Sequence, residues 1–552
     1  MDPNVFTCLK NNTGHTYRFP WRNFVHLLSD QAKKRGDHPA IIFRDLDRGV
    51  REVLTYGQLN EKTAKLAGNL HYLYGIKPGD RVALCLPNCP QVSLLTLALF
   101  RLGATSVPLD QKRDVPDRKR YKLMDSGAKL LCVLPEDLDH ESEIVTTTKV
   151  VSTEDLLRDR SGPRADLEPE WSGNSNAEQA TSIVLYTSGT TGHPKGALLT
   201  RQSITSNADG IARWLGFDKK EILNLVLPLH HVNSTVFSIT IFMLGATLIL
   251  NSRYSASQFW PVVSEEEATA SSIVPTIMKD LVSRWKEFQS LALDLSSLRK
   301  IMIGSAPVPA GTACRFYELF GIRLIQGYGT TEVSLRVTGV PYDLSDADYQ
   351  TALSENAAGV ELSNCNVMIE GDPPSGELGE ILVRGPVVSG GYLNLPQETD
   401  EVFSGGWFRT GDIGFWKELA SRKFFYVHGR KKEILIKGGV NISPIAVENA
   451  LTEAIPGLSS AYVVGLDDTR WGEEVCAALV FENGLSSEDR SRAAEALIHS
   501  GQAGKIPGLS AFEAPAKAIP FEQDQLPMTS TGKVQRSKLR SILQSMVESG
   551  NL

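Results

Sequence analysis

Up to about residue 330, short apolar runs alternate with segments whose apolar positions recur at helical spacing. Leu54-Thr55-Tyr56-Gly57-Gln58-Leu59 reads as a helix start, with Thr55 and Gln58 at capping-box spacing and Leu54 and Leu59 at the staple positions. Leu59, Leu66, Leu70 and Leu73 are its expected buried face. Strands are expected at 81–86, 105–107 and 130–133, with helices from Pro90 through Leu95, Leu99 and Leu102 and over 116–124. Residues 135–180, rich in charge, Ser, Gly and Pro, read as a connecting excursion. The alternation then resumes: a strand over 181–187 carries Ile183-Val184-Leu185-Tyr186, and Ile204, Ala208, Ile211 and Leu215 mark the next helix. Further strands are expected at 222–227, 247–250, 271–274 and 300–303, with helices from Ser234, over 255–263, from Thr276 and ending near Phe320. Such alternation predicts right-handed βαβ units around parallel sheets, hence an α/β fold.

From about 355 the texture changes to short strand signals (380–383, 424–427), which predict a β-rich lobe. After Gly429-Arg430-Lys431-Lys432 comes a smaller α+β unit, with helices expected from Glu448 and over 490–499 and strands at 460–464 and 476–481. The expected division is therefore a large unit over 1–429 and a small one over 430–552.

Composition narrows the class. With 552 residues, 42% hydrophobic and 22% charged, the chain has an ordinary globular balance. Its net charge of −7 and lack of a basic block exclude nucleic acid as a main partner. The seven cysteines are scattered with no C-x-x-C pair, as expected of reduced core residues in an intracellular protein. The polar first twenty residues and the closing Ser-Gly-Asn-Leu carry no leader or lipidation signal, so a cytoplasmic location is expected. Residues 232–252 carry no charge and by length could span a bilayer. Asn233-Ser234-Thr235 and Gly245-Ala246-Thr247 interrupt them, so they read as a buried helix, a turn and a buried strand, with no transmembrane segment.

The candidate chemistry centres on the Gly/Ser/Thr-rich loop after the strand at 181–187. Glycines let backbone N–H groups curl around an anion, hydroxyls add donors and Lys195 supplies a mobile positive charge, which together make a phosphate cradle. The spacing fails the P-loop pattern, because Lys195 precedes Gly196 and Ala197 follows. By composition alone a plain surface loop is the competing reading. Each neighbouring strand also ends in a polar or Gly/Pro string: Pro228-Leu229-His230-His231, Val274-Pro275-Thr276, Gly304-Ser305-Ala306-Pro307 and Gln326-Gly327-Tyr328-Gly329-Thr330-Thr331-Glu332. Ligands of open α/β sheets bind beyond the carboxyl ends of strands, so these loops are expected to converge. Tyr328 offers a face for a purine and Glu332 a carboxylate for Mg²⁺, although the string also fits a turn with an exposed tyrosine. Trp407-Phe408-Arg409-Thr410-Gly411-Asp412 offers a carboxylate for ribose hydroxyls and equally fits a hairpin turn. Lys533, in Thr529-Ser530-Thr531-Gly532-Lys533, read alone is a solvated surface charge.

The complete string Tyr186-Thr187-Ser188-Gly189-Thr190-Thr191-Gly192-His193-Pro194-Lys195-Gly196, together with the others in this order, resembles the signatures of the adenylate-forming superfamily. That superfamily comprises acyl- and aryl-CoA ligases, peptide-synthetase adenylation domains and beetle luciferases; the chain is most similar to the acyl-CoA synthetases. The resemblance implies a large N-terminal domain of βαβ sheets plus a β-barrel lobe and a small mobile C-terminal domain. It implies that a small carboxylic acid and ATP–Mg²⁺ give acyl-AMP and pyrophosphate, after which CoA, or alternatively a carrier-protein phosphopantetheine, displaces AMP. Carried over by position, Thr187, Ser188, Gly189, Thr190, Thr191, Gly192 and Lys195 hold the β/γ-phosphates. Thr330, Thr331 and Glu332 serve the α-phosphate, with Glu332 the metal ligand. Gly304, Ser305, Ala306, Pro307, Gly327, Tyr328 and Gly329 flank adenine, and Asp412 and Arg430 hold the ribose. Lys533 bridges carboxylate and α-phosphate, Lys432 is the hinge, Lys437, Gly438 and Gly439 line the thiol tunnel, and His231 gates the acyl carboxylate. Ser234, where Gly is common, and Ala446, where Glu is frequent, depart from the pattern. So does Asn356-Ala357-Ala358-Gly359-Val360-Glu361, which lacks a proline after its Gly. The phrase 253–260 is similar to a segment of carnitine- and fatty-acid-type CoA ligases, a lean toward fatty acid metabolism.

Overall fold

The computed structural model describes residues 17–158, 164–169, 176–187, 194–482, 484–528 and 534–549. Two sheets dominate the larger part. A six-stranded sheet runs Lys149–Ser152, Leu130–Val133, Arg81–Leu84, Thr105–Pro108, Thr181–Thr187, Lys195–Thr200. Its pairs are parallel except the last. A nine-stranded sheet runs Val360–Glu361, Thr338–Gly339, Arg323–Tyr328, Lys300–Ile303, Ala270–Ile273, Ile222–Leu225, Thr247–Asn251, Pro39–Asp45, Val50–Thr55. It is parallel from Arg323–Tyr328 to Pro39–Asp45 and closed by antiparallel edges. Helices pack on both sheets in two large apolar clusters, one of which draws on strands of both sheets, so the βαβ expectation holds.

The expected helix starts where its cap predicts. Thr55 accepts from the Gln58 N–H while Gln58 Oε1 accepts from the Thr55 N–H, a reciprocal pair worth about 1 kcal/mol. Leu59, Leu66 and Leu70 are buried, but Leu73 is 44% exposed: the helix ends at Tyr74, beyond the layer it packs on. The supposed excursion also holds structure. Lys149–Ser152 adds an edge strand beside Leu130–Val133, and helices Leu138–Ile144 and Thr153–Leu157 flank it. In the uncharged stretch, helix Val232–Leu244 turns at Gly245 (φ 70°) into the fully buried strand Thr247–Asn251. Among the described residues no helix is long and apolar enough to cross a membrane.

The β-rich lobe is a five-stranded antiparallel sheet of Asn366–Ile369, Gly379–Arg384, Trp407–Leu419, Phe403–Ser404 and Arg422–Arg430. It begins slightly later than expected, because Val360–Glu361 pairs into the nine-stranded sheet. The smaller C-terminal part is a sheet of Val440–Ile442, Leu435–Lys437, Gly472–Phe481, Leu458–Asp468 and Lys517–Pro520 with helices Pro444–Ala454, Ser487–Gln502 and Arg536–Glu548. Its two apolar clusters draw wholly on residues from Leu435 onward. Glu448 anchors it, accepting from the Val463 N–H at 2.6 Å and pairing with Arg536. Lys279, on helix Pro275–Ser283 of the larger part, reaches across to donate to the Ser459 carbonyl at 2.9 Å.

Candidate active site

The strands on either side of the phosphate-loop string pair antiparallel. Thr187 pairs with Lys195, and Lys195–Thr200 runs back antiparallel before helix Arg201–Leu215 begins. This corrects the strand–loop–helix reading: 197–199 is too short an apolar run to stand out, yet it completes a strand. Gly196 has no room for a side chain, because a Cβ would stand 2.9 Å from Val184 Cγ1. Ser188, Gly189, Thr190, Thr191 and Gly192 lie outside the described residues, as does Lys533.

Lys195 Nζ sits 5.4 Å from the ring centroid of Tyr392, and the Tyr392 hydroxyl donates to Glu332 Oε1 at 2.8 Å. Burial, reinforced by the Glu332 charge, pushes the Tyr392 phenol up, so it remains a donor. Backbone bonds fix this contact: the Leu198 N–H donates to Gly391, the Leu393 N–H to Gly196, and the Ser389 N–H to Glu332. Tyr392 escaped the sequence reading. Its signal was the Gly390-Gly391 pair, which lets that segment lie against the hairpin strand.

A second group forms around Asp412. Its carboxylate accepts from the Tyr328 hydroxyl at 2.7 Å and meets Arg430 Nε at 3.0 Å. Asp412 lies within the long strand Trp407–Leu419, directly opposite Arg430 in register, so the hairpin-turn reading of its string falls. Only 4% of Asp412 is exposed. Asp412 first, with Glu332 adding, raises the Arg430 pKa, so the two groups share one field. Burial, then Asp412, holds the Tyr328 phenol well above its usual range.

Gly304-Ser305-Ala306-Pro307 follows strand Lys300–Ile303, with Ser305 at φ 69°. A Cβ on Gly304 would come within 2.6 Å of both Arg336 Nη2 and the Gly327 carbonyl, and one on Gly329 would overlap the Leu335 carbonyl. These glycines are set by close approach. The Thr330 Oγ1 is buried without a partner among the described residues. His231 occupies the N-cap position of helix Val232–Leu244, its ring 4.4 Å from His230, which lies 3.3 Å from Asp110.

The thiol-tunnel residues stand apart. Lys437 pairs with Glu474 at 2.5 Å and donates to the Phe512 carbonyl at 3.0 Å. Gly438 (φ 55°) and Gly439 (φ 82°) turn a tight hairpin, with Gly438 against Trp471 and Phe512. All these neighbours belong to the C-terminal part. Lys432 is exposed in the turn directly after Arg430. No cluster of three metal-ligating side chains occurs among the described residues. Glu332 with nearby hydroxyls fits Mg²⁺, which takes most of its ligands from phosphates and water.

A family model described as AMP-binding enzyme matches residues 28–393, and one described as AMP-binding enzyme C-terminal domain matches 446–533. The chain is 33% identical over 495 residues to a feruloyl-CoA synthase of an Amycolatopsis species, covering 88% of this chain and 93% of that one. It is 31% identical over 500 residues to the long-chain-fatty-acid–CoA ligase FadD13 of Mycobacterium tuberculosis, covering 88% and 92%. Among solved structures, o-succinylbenzoate CoA synthetase from Bacillus subtilis with its acyl-adenylate matches with TM-score 0.78 and 26% identity over 93% of this chain and 97% of that one. The same enzyme bound to ATP and magnesium also matches with TM-score 0.78 and 26% identity, over 93% and 99%.

Proposed function

The chain belongs to the AMP-binding enzyme family, and on that premise we propose which of its residues carry each step. It is an acid–CoA ligase: it activates a carboxylic acid with ATP to an acyl-adenylate, releasing pyrophosphate, and transfers the acyl group to CoA, releasing AMP. Attack on the α-phosphate needs positioning and charge neutralisation more than covalent help. Asp412 accepts the ribose hydroxyls, and Tyr328 lays its ring against adenine. What supports this most directly is the Tyr328–Asp412–Arg430 triad, a carboxylate already oriented from both sides before any nucleotide arrives. Lys195 and residues 187–192 hold the β/γ-phosphates, with Tyr392 fixing the distance between Lys195 and Glu332. Glu332 and Thr331 hold Mg²⁺ and the α-phosphate; the ion neutralises phosphate charge when bound.

Lys533 joins the acid carboxylate to the α-phosphate in the first step, carried on a C-terminal domain that begins near Arg430 and pivots at Lys432. Lys437, Gly438 and Gly439 serve the second step and His231 the acyl entrance. Fatty acid metabolism and a cytoplasmic location complete the reading. The test is Lys533→Ala: acid-dependent ATP–pyrophosphate exchange falls at least about 100-fold, while thioester formation from supplied acyl-AMP and CoA persists. Loss of neither half-reaction overturns the assignment.

A further inference from the structure

Three arginines are almost wholly buried, and they differ in what they meet: Arg101 is 2% exposed, Arg201 1% and Arg336 1%. Arg101 pairs with Asp166 at 2.6 Å and Arg201 with Glu168 at 3.0 Å. Arg336 has no carboxylate among the described residues. Its Nη1 donates to the Gly327 carbonyl, while Nε and Nη2 have no partner among the described residues. Burial lowers its pKa to about 10, with no charged neighbour contributing. An unpaired buried charge is a liability that folding alone does not explain.

The liability is built in with care. Asn207, itself 1% exposed, donates Nδ2 to the Arg336 carbonyl at 2.6 Å and to that of Val333 at 3.1 Å. Its Oδ1 accepts from the Arg336 N–H at 3.3 Å. Two preceding non-glycine residues, Ser334 (φ 59°) and Leu335 (φ 122°), adopt strained backbone to turn the side chain inward. The guanidinium fills the space a Gly304 side chain would take, against the Gly327 carbonyl. The same strand ends and the start of helix Val232–Leu244 hold further buried polar atoms without partners among the described residues: Thr330 Oγ1, Ser334 Oγ, Asn233 Nδ2 and Ser234 Oγ. Asn233 is tied by Ser272, on the strand beside Lys300–Ile303, to the same edge of the sheet. Nε and Nη2 together form the side-on fork of a guanidinium, which matches a carboxylate in two parallel hydrogen bonds.

We infer that Arg336 is the substrate-reading residue of the acyl pocket, and that the acid it selects carries a second carboxylate that pairs with this fork. The inference rests on the ligase reading above. The acid's first carboxylate attacks phosphorus, while the second supplies the charge Arg336 lacks and is drawn from water into a site whose donors are already oriented.

AMP release with CoA is measured on length-matched dicarboxylic acids, monocarboxylic acids and half-methyl esters. The expected wild-type preference for a diacid in kcat/KM is at least about 100-fold. Arg336→Met brings that ratio close to one through loss of the diacid, with KM for ATP unchanged, and Arg336→Lys falls between. Without ligand Arg336→Met melts no lower than wild type, and the diacid with a non-hydrolysable ATP analogue raises the wild-type melting temperature only. Monoacids turned over as well as diacids, a variant that slows every acid alike, or a raised KM for ATP overturns the inference and leaves the ligase reading standing. Failure of every acid with every thiol overturns both.

Discussion

The group around Asp412 and the hairpin at Lys437-Gly438-Gly439 are, on the assignment proposed above, the two chemical ends of this enzyme, and they are built on opposite plans. Asp412 is locked by groups from two other strands: Tyr328 from the nine-stranded sheet and Arg430 across the register, with Arg430 in turn within the field of Glu332. The hairpin is self-contained, its lysine neutralised by Glu474 and its turn resting on Trp471, while Ile436 and Val440 beside it are 54% and 48% exposed. On that assignment, groups that hold a ligand through both half-reactions are fixed in the large core, and groups needed in one half-reaction ride on a part with its own core and exposed apolar surface.

The contrast breaks most sharply at Asp412. Asp412→Ala leaves Arg430 unopposed and the ribose unheld, and lowers kcat/KM for acyl-adenylate formation by about 100-fold or more, measured by pyrophosphate release. At the other end, Gly438→Val forces a β-branched residue into φ 55° and onto Trp471. The expected result is a loss of about 10-fold or more, confined to thioester formation in single-turnover assays. The joint between the two ends supplies the smallest effect. Burial lowers the Lys279 pKa to about 8, with Glu448 opposing that shift. The docked form therefore binds fewer protons than the undocked form between pH 8 and the ordinary lysine value of 10.5. Docking strengthens as pH rises through that window, by at most about 1.4 kcal/mol per pH unit, and is flat below it. Limited proteolysis of the segment after Arg430 across this range checks the sign, and Lys279→Met should abolish the slope.

Legibility followed locality. Strands Leu130–Val133 and Lys300–Ile303 lie where the apolar runs put them, and the Thr55–Gln58 cap marks its helix start, because each signal is complete within a few residues. Strand Lys149–Ser152 stayed hidden because an edge strand needs few apolar residues. Strand Lys195–Thr200 was masked by the glycine-rich string before it. At the site, Asp412, Arg430 and Tyr328 were nameable from their strings, yet their mutual bonds join residues as far apart as 84 positions. Tyr392, 60 positions from Glu332, had only the adjacent Gly390-Gly391 pair to mark it. Arg336 carried a faint signal, a lone charge in Val333-Ser334-Leu335-Arg336-Val337, whose meaning depends on the glycine facing it.

The pairing of Thr187 with Lys195 has a consequence for how such a loop can vary. A strand alternates its faces residue by residue, so the hairpin treats the ammonium's direction as a parity. Residues can be added between Thr187 and Lys195 while Lys195 keeps its face, because the ladder below holds the phase. Deleting a single residue between 196 and 200 leaves composition almost untouched and turns Lys195 away from Tyr392 and Glu332. The motif's length is thus free on one side of Lys195 and quantised on the other.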